Sequence, residues 1–165
     1  MIDTNVHCDQ LASGKPLVLN LEAGRDDCEA LAERFDWVDV SMLSAEIKIK
    51  AIAKDAYHVS GKIEAAIIQQ CRVTENPVPE SIIVTVDERF AVIEEENLDA
   101  EIDPMAMSVE SIDNNEIPVG EMIAQLVGLE ASLWPRDSAA DDHSARHIED
   151  PTNPFASLAE LKKKL

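Results

Sequence analysis

The sequence predicts an α+β protein, in which an antiparallel meander sheet, open or barrel-like, is packed with helices. Two observations predict this class. Between residues 46 and 92, three successive segments alternate apolar with polar residues and are joined by short links, as in an antiparallel sheet with one wet face. Residues 26–35 and 119–133 instead place apolar residues at helical spacing. We expect three regions: a globular domain (1–135), a flexible acidic tether (136–152) and a short C-terminal helix (153–165).

The first elements are a strand and a helix. Residues 16–22 alternate leucines with other residues, which is typical of a strand. Asp26 or Asp27 can then cap a helix that ends near Phe35. The preceding residues, 1–14, have no clear pattern, and we expect them to be loosely attached.

Three longer strands follow. Residues 46–54 place isoleucines on one face and mainly charged residues on the other, and residues 58–73 and 81–92 have similar patterns. Pro77 and Pro79 are expected in the link before the last of these strands, because proline cannot donate a ladder hydrogen bond.

Four lysines are expected on the polar side of the first two of these strands and at their turn: Lys48, Lys50, Lys54 and Lys62. Glu46 and Glu64 interrupt this basic set, which favours cross-strand charge pairing on a solvated face. The alternative is that these lysines, with Arg72, form an RNA-binding face.

The second helix is expected over residues 119–133, with a wide apolar band that includes Leu129 and Leu133. The Trp134-Pro135 pair ends it. Residues 136–152 are polar and free of repeats, which is typical of a flexible tether.

The net charge is −19, and most of it lies in one part of the chain. Residues 1–86 have 14 acidic against 8 basic residues, whereas residues 87–150 have 18 against 3. Residues 151–165 reverse the sign, with 1 acidic residue and 3 lysines. A negative field repels phosphate, so the charge disfavours direct binding of DNA or RNA. It either favours a basic protein partner or serves solubility alone.

Other classes of function have no support in the sequence. No apolar run approaches the roughly 20 residues that a membrane helix needs, and no signal peptide is evident, so we expect a cytoplasmic protein. Cys28 lies on the apolar face of the first helix and is expected to be a small core residue. No phosphate loop, nucleophile elbow or Cys-x-x-Cys pair occurs. His143 and His147 lack a third ligand, so we expect no catalytic, cofactor or metal site.

The C-terminal segment has a complete helix signature. Asn153 can cap the free N–H groups, and Pro154 suits the first helical position. An apolar side and a cationic end follow, formed by Phe155, Leu158, Leu161, Lys162, Lys163 and Lys164. A helix this short is marginal alone in water and needs a surface on which to lie. That surface is either its own domain or a groove on a partner.

Three stretches of this sequence resemble a known family. They are the strand end Gln69–Thr74, the turn and helix from Glu116 to Pro135, and the terminal Asn153–Lys162. In this order they resemble the YceD family, the bacterial large ribosomal RNA subunit accumulation proteins. The resemblance runs from about residue 15 to the end of the chain. It implies a role in accumulation of large-subunit (23S) ribosomal RNA, and so in ribosome assembly, without an established enzymatic activity.

The chain departs from that family at the strand end. Many members have Cys-x-x-Cys there, whereas this chain has Cys71, followed by Arg72, and then Thr74 in place of the second cysteine. A zinc or redox role is therefore not expected, and Cys71 is predicted to be a packed thiol. Together, charge and resemblance predict a non-enzymatic ribosome biogenesis factor. It would bind a basic ribosomal protein or assembly factor through residues 153–164 and reach ribosomal RNA indirectly.

Overall fold

The structure is a computed structural model that describes residue 1, residues 3–92 and residues 109–140. The strands are β1 (Val6–His7), β2 (Leu17–Glu22), β3 (Asp39–Ala53), β4 (Ala56–Gln70), β5 (Pro77–Ala91), β6 (Glu110–Ser111) and β7 (Glu116–Ile117). The helices are α1 (Arg25–Phe35) and α2 (Val119–Glu130), with a short 3₁₀ helix at Cys8–Leu11. Within these residues, no helix has the length and apolar character to span a membrane.

The main sheet has five strands in the order β2-β3-β4-β5-β6. The pairs from β2 to β5 are antiparallel, and β6 adds a short parallel pair next to Phe90 and Ala91. The predicted antiparallel meander is thus confirmed. The sheet is not closed into a barrel, so the barrel-like alternative does not apply.

The strands differ from their predicted bounds at the turn between β3 and β4 and at the start of β5. A two-residue turn, Lys54-Asp55, joins β3 to β4, and Asp55 has a positive φ of 57°. Pro77 and Pro79, which were expected in a link, instead lie in β5 and pair with Gln70 and Ile68. The position is tolerated because this end of β5 is an edge: no described strand pairs with its other side there.

One face of the sheet forms the core. Its fully buried side chains come from β3, β4 and β5, and include Ile47, Ile49, Val59, Ile63, Ile67, Ile82 and Val86. Leu31 of α1 and Ile123 and Val127 of α2 belong to the same buried cluster. Since each such side chain contributes roughly 1.5–3 kcal/mol when fully buried, this shared cluster holds both helices on one face. The other face of the sheet is open to solvent.

The start of α1 differs from the predicted cap. Gly24, not Asp26 or Asp27, is the N-cap residue. Asp27 lies in the first turn, and its carboxylate accepts the Gly24 N–H at 3.1 Å. The helix ends at Phe35 as predicted, because Asp36 adopts the left-handed conformation with φ 56°.

The prediction that α2 extends to Leu133 with a buried apolar band was wrong at its end. The helix ends at Glu130, and Leu129 and Leu133 are 81% and 79% exposed. A non-local contact explains the early end: the Glu80 carboxylate of β5 accepts the Ser132 N–H at 3.2 Å. The Gln69 side chain donates to the Ser132 carbonyl at 3.1 Å, and Ala131 has left the helical conformation, with ψ 139°.

The first fourteen residues, which we expected to be loose, are tied to the domain. Strand β1 pairs with β7 through Val6 and Ile117. Val6, Cys8 and Leu11 are all buried in the core cluster. This short region therefore packs because its few apolar residues pair with a distant strand, which local periodicity does not reveal.

The two helices contact each other at a glycine. A Cβ atom added at Gly128 of α2 would lie 2.5 Å from Cε1 of Phe35 at the end of α1. The Phe35 ring also stacks on Trp37, with ring centroids 4.7 Å apart. Gly128 lowers helix propensity by about 1 kcal/mol relative to alanine, and the close approach of this ring explains its presence.

Replacing Gly128 by alanine should therefore destabilise the protein by about 1–3 kcal/mol, despite the better helix propensity of alanine. The reason is that Phe35 must move from its stacked position. Urea unfolding measures the free energy of unfolding. In a Phe35→Leu background the same substitution should be close to neutral, and an equal loss in both backgrounds would contradict this account.

A second prediction concerns the bidentate ion pair between α1 and α2. Both Arg34 amino groups lie 2.7 Å from the Glu121 carboxylate oxygens. These bonds, with one from Gln125, lower the pKa of Glu121 from 4.5 to about 2. Because the folded-state pKa is depressed, the stabilisation is complete above pH 4.5 and is lost as the pH falls towards 2.

Arg34→Met should accordingly lower the free energy of unfolding only slightly at neutral pH, because both side chains are partly exposed. The difference from the unaltered protein should shrink as the pH approaches 2. Urea titrations over this pH range test it. A difference that stays constant with pH would show that Arg34 acts only through packing.

Candidate protein-interaction site

The predicted lysine set lies on the solvent face of the sheet, but that face is not basic. Lys48, Lys50 and Lys62 share it with one more cation and with four carboxylates: Arg89, Glu22, Glu46, Glu64 and Asp87. Four positive and four negative side chains balance each other. Lys54 is in the turn, 3.9 Å from Asp55.

Several of these charges are paired locally. Lys62 forms an ion pair with Glu64, and His58 contacts Asp87 at 2.6 Å. A shallow hollow of about 440 Å³ on this face is edged by Lys62 and by three carboxylates: Glu22, Glu46 and Glu64. This surface fits the predicted cross-strand pairing, and it offers little attraction to a polyanion.

The strand end that carries the family resemblance forms a tight corner around Cys71. The Cys71 side chain is buried, as predicted for a packed thiol. Its sulfur also accepts three backbone N–H bonds, from Val73, Thr74 and Asp137, each at 3.4 Å. Arg72 next to it is exposed, and its own N–H donates to the Pro135 carbonyl at 3.0 Å.

Hydrogen bonding at this corner favours the thiolate. Desolvation by burial, the largest single effect, raises the pKa of Cys71. The Thr74 hydroxyl and the three N–H groups act the other way, and together they lower this pKa from 9.0 to about 7. Cys28 is different: burial, and then the charge of Asp27, raise its pKa. Cys28 is half-buried and packs against the core cluster.

The start of the predicted tether belongs to this corner. The Asp137 carboxylate accepts bonds from the Thr74 hydroxyl at 2.7 Å and from the Asn76 amide at 2.6 Å. Ala140 is fully buried. The expected tether boundary at residue 136 was therefore too early. Asp137 could not be singled out beforehand, because it is one of 33 acidic residues and its partners are more than sixty residues away.

A groove lies along α2, beside the end of β5 and the short β6. Its volume is about 180 Å³, and its apolar lining includes Phe90, Met122, Leu126 and Leu129. Three carboxylates also line it: Glu88, Glu110 and Glu121. Glu121 is neutralised by Arg34, whereas Glu88 and Glu110 form no ion pair with another described residue. An apolar floor with an acidic rim suits an amphipathic segment that carries positive charge.

Large apolar side chains are exposed at the C-terminal end of α2. Leu129, Leu133 and Trp134 are 81%, 79% and 75% exposed. Soluble proteins rarely leave neighbouring large apolar side chains in water unless they contact another surface, and tryptophan is enriched where binding energy is concentrated. The predicted apolar band of the helix included Leu129 and Leu133, but it did not indicate that these side chains would be exposed.

Some predicted features lie outside the described residues. They are the C-terminal partner-binding set from Asn153 to Lys164 and the pair His143 and His147. Comparison with known proteins adds nothing to the geometry: no family model, curated protein or solved structure matches this chain. The resemblance to the YceD family stays a prediction.

The Cys71 corner gives a specific prediction. Thr74→Val should raise the pKa of Cys71 from about 7 towards 9.0, because the Thr74 hydroxyl beside the sulfur lowers it and also holds the Asp137 carboxylate by a hydrogen bond. Thr74→Ser keeps a hydroxyl and should leave the pKa near 7. The measurement is the ultraviolet absorbance of the thiolate against pH, with Cys71→Ser to assign the signal.

The same shift links stability to pH. Because the folded-state pKa is depressed, the thiolate contributes its full stabilisation above pH 9.0 and loses it as the pH falls through about 7. The destabilisation caused by Thr74→Val, measured by urea unfolding, should therefore grow as the pH rises from about 7 to 9.0. If Thr74→Val and Thr74→Ser gave the same titration curve, the hydroxyl would have no such role.

Proposed function

We propose that this protein is a non-enzymatic ribosome biogenesis factor that supports accumulation of large-subunit (23S) ribosomal RNA. It does so by binding a basic ribosomal protein or assembly factor, and it works in the cytoplasm. The observation that carries the proposal is the apolar groove along α2, edged by Glu88 and Glu110 and continued by exposed Leu129. The identity of the process comes from the resemblance to the YceD family.

Charge supports a protein partner over a nucleic acid. Ribosomal proteins are basic because they bind RNA. Before assembly, their positive charge can interact with an acidic protein surface. A chain with a net charge of −19 attracts such proteins over long range and raises their association rate. RNA is then reached indirectly, through the partner.

Direct RNA binding through the sheet lysines has weaker support. Lys48, Lys50 and Lys62 lie among as many carboxylates as cations, so few counterions would be released from RNA on contact. Tyr57, the aromatic residue nearest the strand turn, is 8% exposed and offers no stacking platform.

The C-terminal segment is part of the proposed partner contact. Phe155, Leu158 and Leu161 would enter an apolar site on the partner, with Lys162, Lys163 and Lys164 at its rim, after capping by Asn153 and Pro154. The groove on the domain would hold a basic segment of the partner. Two contacts of moderate strength then act together, as linked sites do.

A pull-down with purified large-subunit proteins tests the groove. Leu129→Asn combined with Trp134→Asn should reduce recovery of the basic partner by about tenfold, because both side chains are exposed and apolar. Ile83→Asn is the matched control, since Ile83 is 62% exposed on the opposite face of the sheet. Equal recovery by both variants would remove the exposed end of α2, including the Leu129 end of the groove, from the proposed function.

The C-terminal contact and the RNA alternative are tested by separate experiments. A chain ending at Asp150 should recover less of the partner than the full chain, and equal recovery would exclude residues 153–165 from the contact.

The RNA alternative is tested by filter binding with bare 23S RNA at physiological salt. The protein should bind weakly, and reversing the charge of Lys48 and Lys62 should not change its affinity. Tight binding that falls steeply with salt would favour the lysine face instead.

A further inference from the structure

We propose that, in the free protein, the groove along α2 binds the chain's own C-terminal segment, residues 153–165. This goes beyond the proposed function because it states what covers the groove when no partner is present. It also decides between the two surfaces that the sequence left open for this segment. The contact is within one molecule, and a partner would have to displace it.

The groove provides two kinds of contact. Its floor is apolar, with Phe90 and Met122 buried and Leu129 extending into solvent at one end. Glu110 is exposed and Glu88 half-buried, and neither is in an ion pair with another described residue. The volume of about 180 Å³ suits one or two large side chains, not a small polar ligand.

The C-terminal segment has the matching chemistry. Phe155, Leu158 and Leu161 are spaced three residues apart, so a helix would present them on one side. Lys162–Lys164 follow directly, and the segment has a net charge of +2, with one acidic residue against 3 lysines. Its apolar side fits the floor, and its lysines fit the two carboxylates. Docking also removes the difficulty that a helix of this length is marginal alone.

Charge selects this segment over the rest of the chain outside the described residues. Residues 93–108 lead into β6 beside the groove, but they have six acidic residues and no lysine or arginine. Residues 141–152 have four acidic residues against Arg146. Both would be repelled by Glu88 and Glu110. Only residues 153–165 combine large apolar side chains with a positive charge.

The chain is long enough for this contact. Ala140 follows Asp137, which is bonded at the end of β4, and the same end of β4 holds Ser132 through Gln69. The last described residues therefore lie near the end of α2. From Ala140 to Asn153, thirteen residue steps span at most about 45 Å when extended and about 20 Å on average when flexible. A tether of this length gives an effective concentration on the order of millimolar, so even a weak contact is populated.

Photo-crosslinking of the purified full chain tests the proposal. The probe is benzoylphenylalanine in place of Phe155, and mass spectrometry identifies the peptide to which it attaches. We expect attachment to the groove, at residues 88–90 or 110–129. Mixing isotopically heavy and light protein separates contacts within a molecule from contacts between molecules, and we expect light–light and heavy–heavy products only. Attachment elsewhere in the domain, attachment only between molecules, or no attachment to protein would each overturn the proposal.

Charge reversal in the full chain gives a second test of docking in the groove. Glu88→Lys with Glu110→Lys should reduce the crosslink yield on the order of tenfold at low salt, because two attractions become repulsions. Glu110→Lys alone, at an exposed position that should not affect folding, should reduce it about threefold. The matched control is Glu22→Lys with Glu46→Lys on the open face of the sheet. Equal yields in the groove and control variants would overturn the proposal.

The outcome is independent of the proposed function. Crosslinking is done without ribosomal components, whereas the pull-down measures partner recovery. Failure of the crosslink with a normal pull-down would mean that the groove is empty in the free protein. A normal crosslink with no ribosomal partner would leave the internal contact in place and remove the proposed function.

Discussion

The burial of one face of β3, β4 and β5 is the constraint on which the rest of the structure depends. Each of these strands has 15 residues, so together they present an apolar surface that only a second layer can cover. Helices α1 and α2 supply it, and they approach closely because Gly128 leaves room for the Phe35 ring. The opposite face is left to charged residues that balance one another. A sheet built this way has one face for stability, so specific binding must come from its edges and from the helix layer.

The end of α2 shows how that layer acquires a binding surface. Glu80 and Gln69 bind the backbone of Ser132, and the helix ends before its apolar band is complete. Leu129, Leu133 and Trp134 are exposed as a result. Two residues further on, Arg136 precedes Asp137, whose backbone and carboxylate join the Cys71 corner. The same few hydrogen bonds therefore position the exposed apolar side chains and hold the last described residues, up to Ala140, against the domain.

Much of the fold could be predicted from the sequence, but less of the site. The long strands were found because Ile47, Ile49 and their neighbours repeat a two-residue period over many positions, and hydrophobic burial on one face enforces that period. The end of α2 and the role of Asp137 could not be found, because both depend on hydrogen bonds between residues more than fifty positions apart. Leu129 continues a helical apolar pattern, and periodicity cannot distinguish an apolar residue that faces the core from one that faces a partner. Burial of Cys71 was predicted, but its three N–H donors were not.

The charge distribution relates the domain, the groove and the C-terminal segment to one another. The domain is acidic, its sheet lysines are neutralised by nearby carboxylates, and the only segment with a clear positive charge is the last one. If that segment occupies the groove in the free protein, a basic partner must displace it. The observed free energy of partner binding is then the difference between the free energies of two contacts of similar chemistry. Salt weakens both contacts, so its effects on exchange largely cancel. Exchange would then depend mainly on apolar complementarity at Leu129 and its neighbours. The acidic surface would reject RNA and attract basic proteins in general, while the groove would select among those proteins.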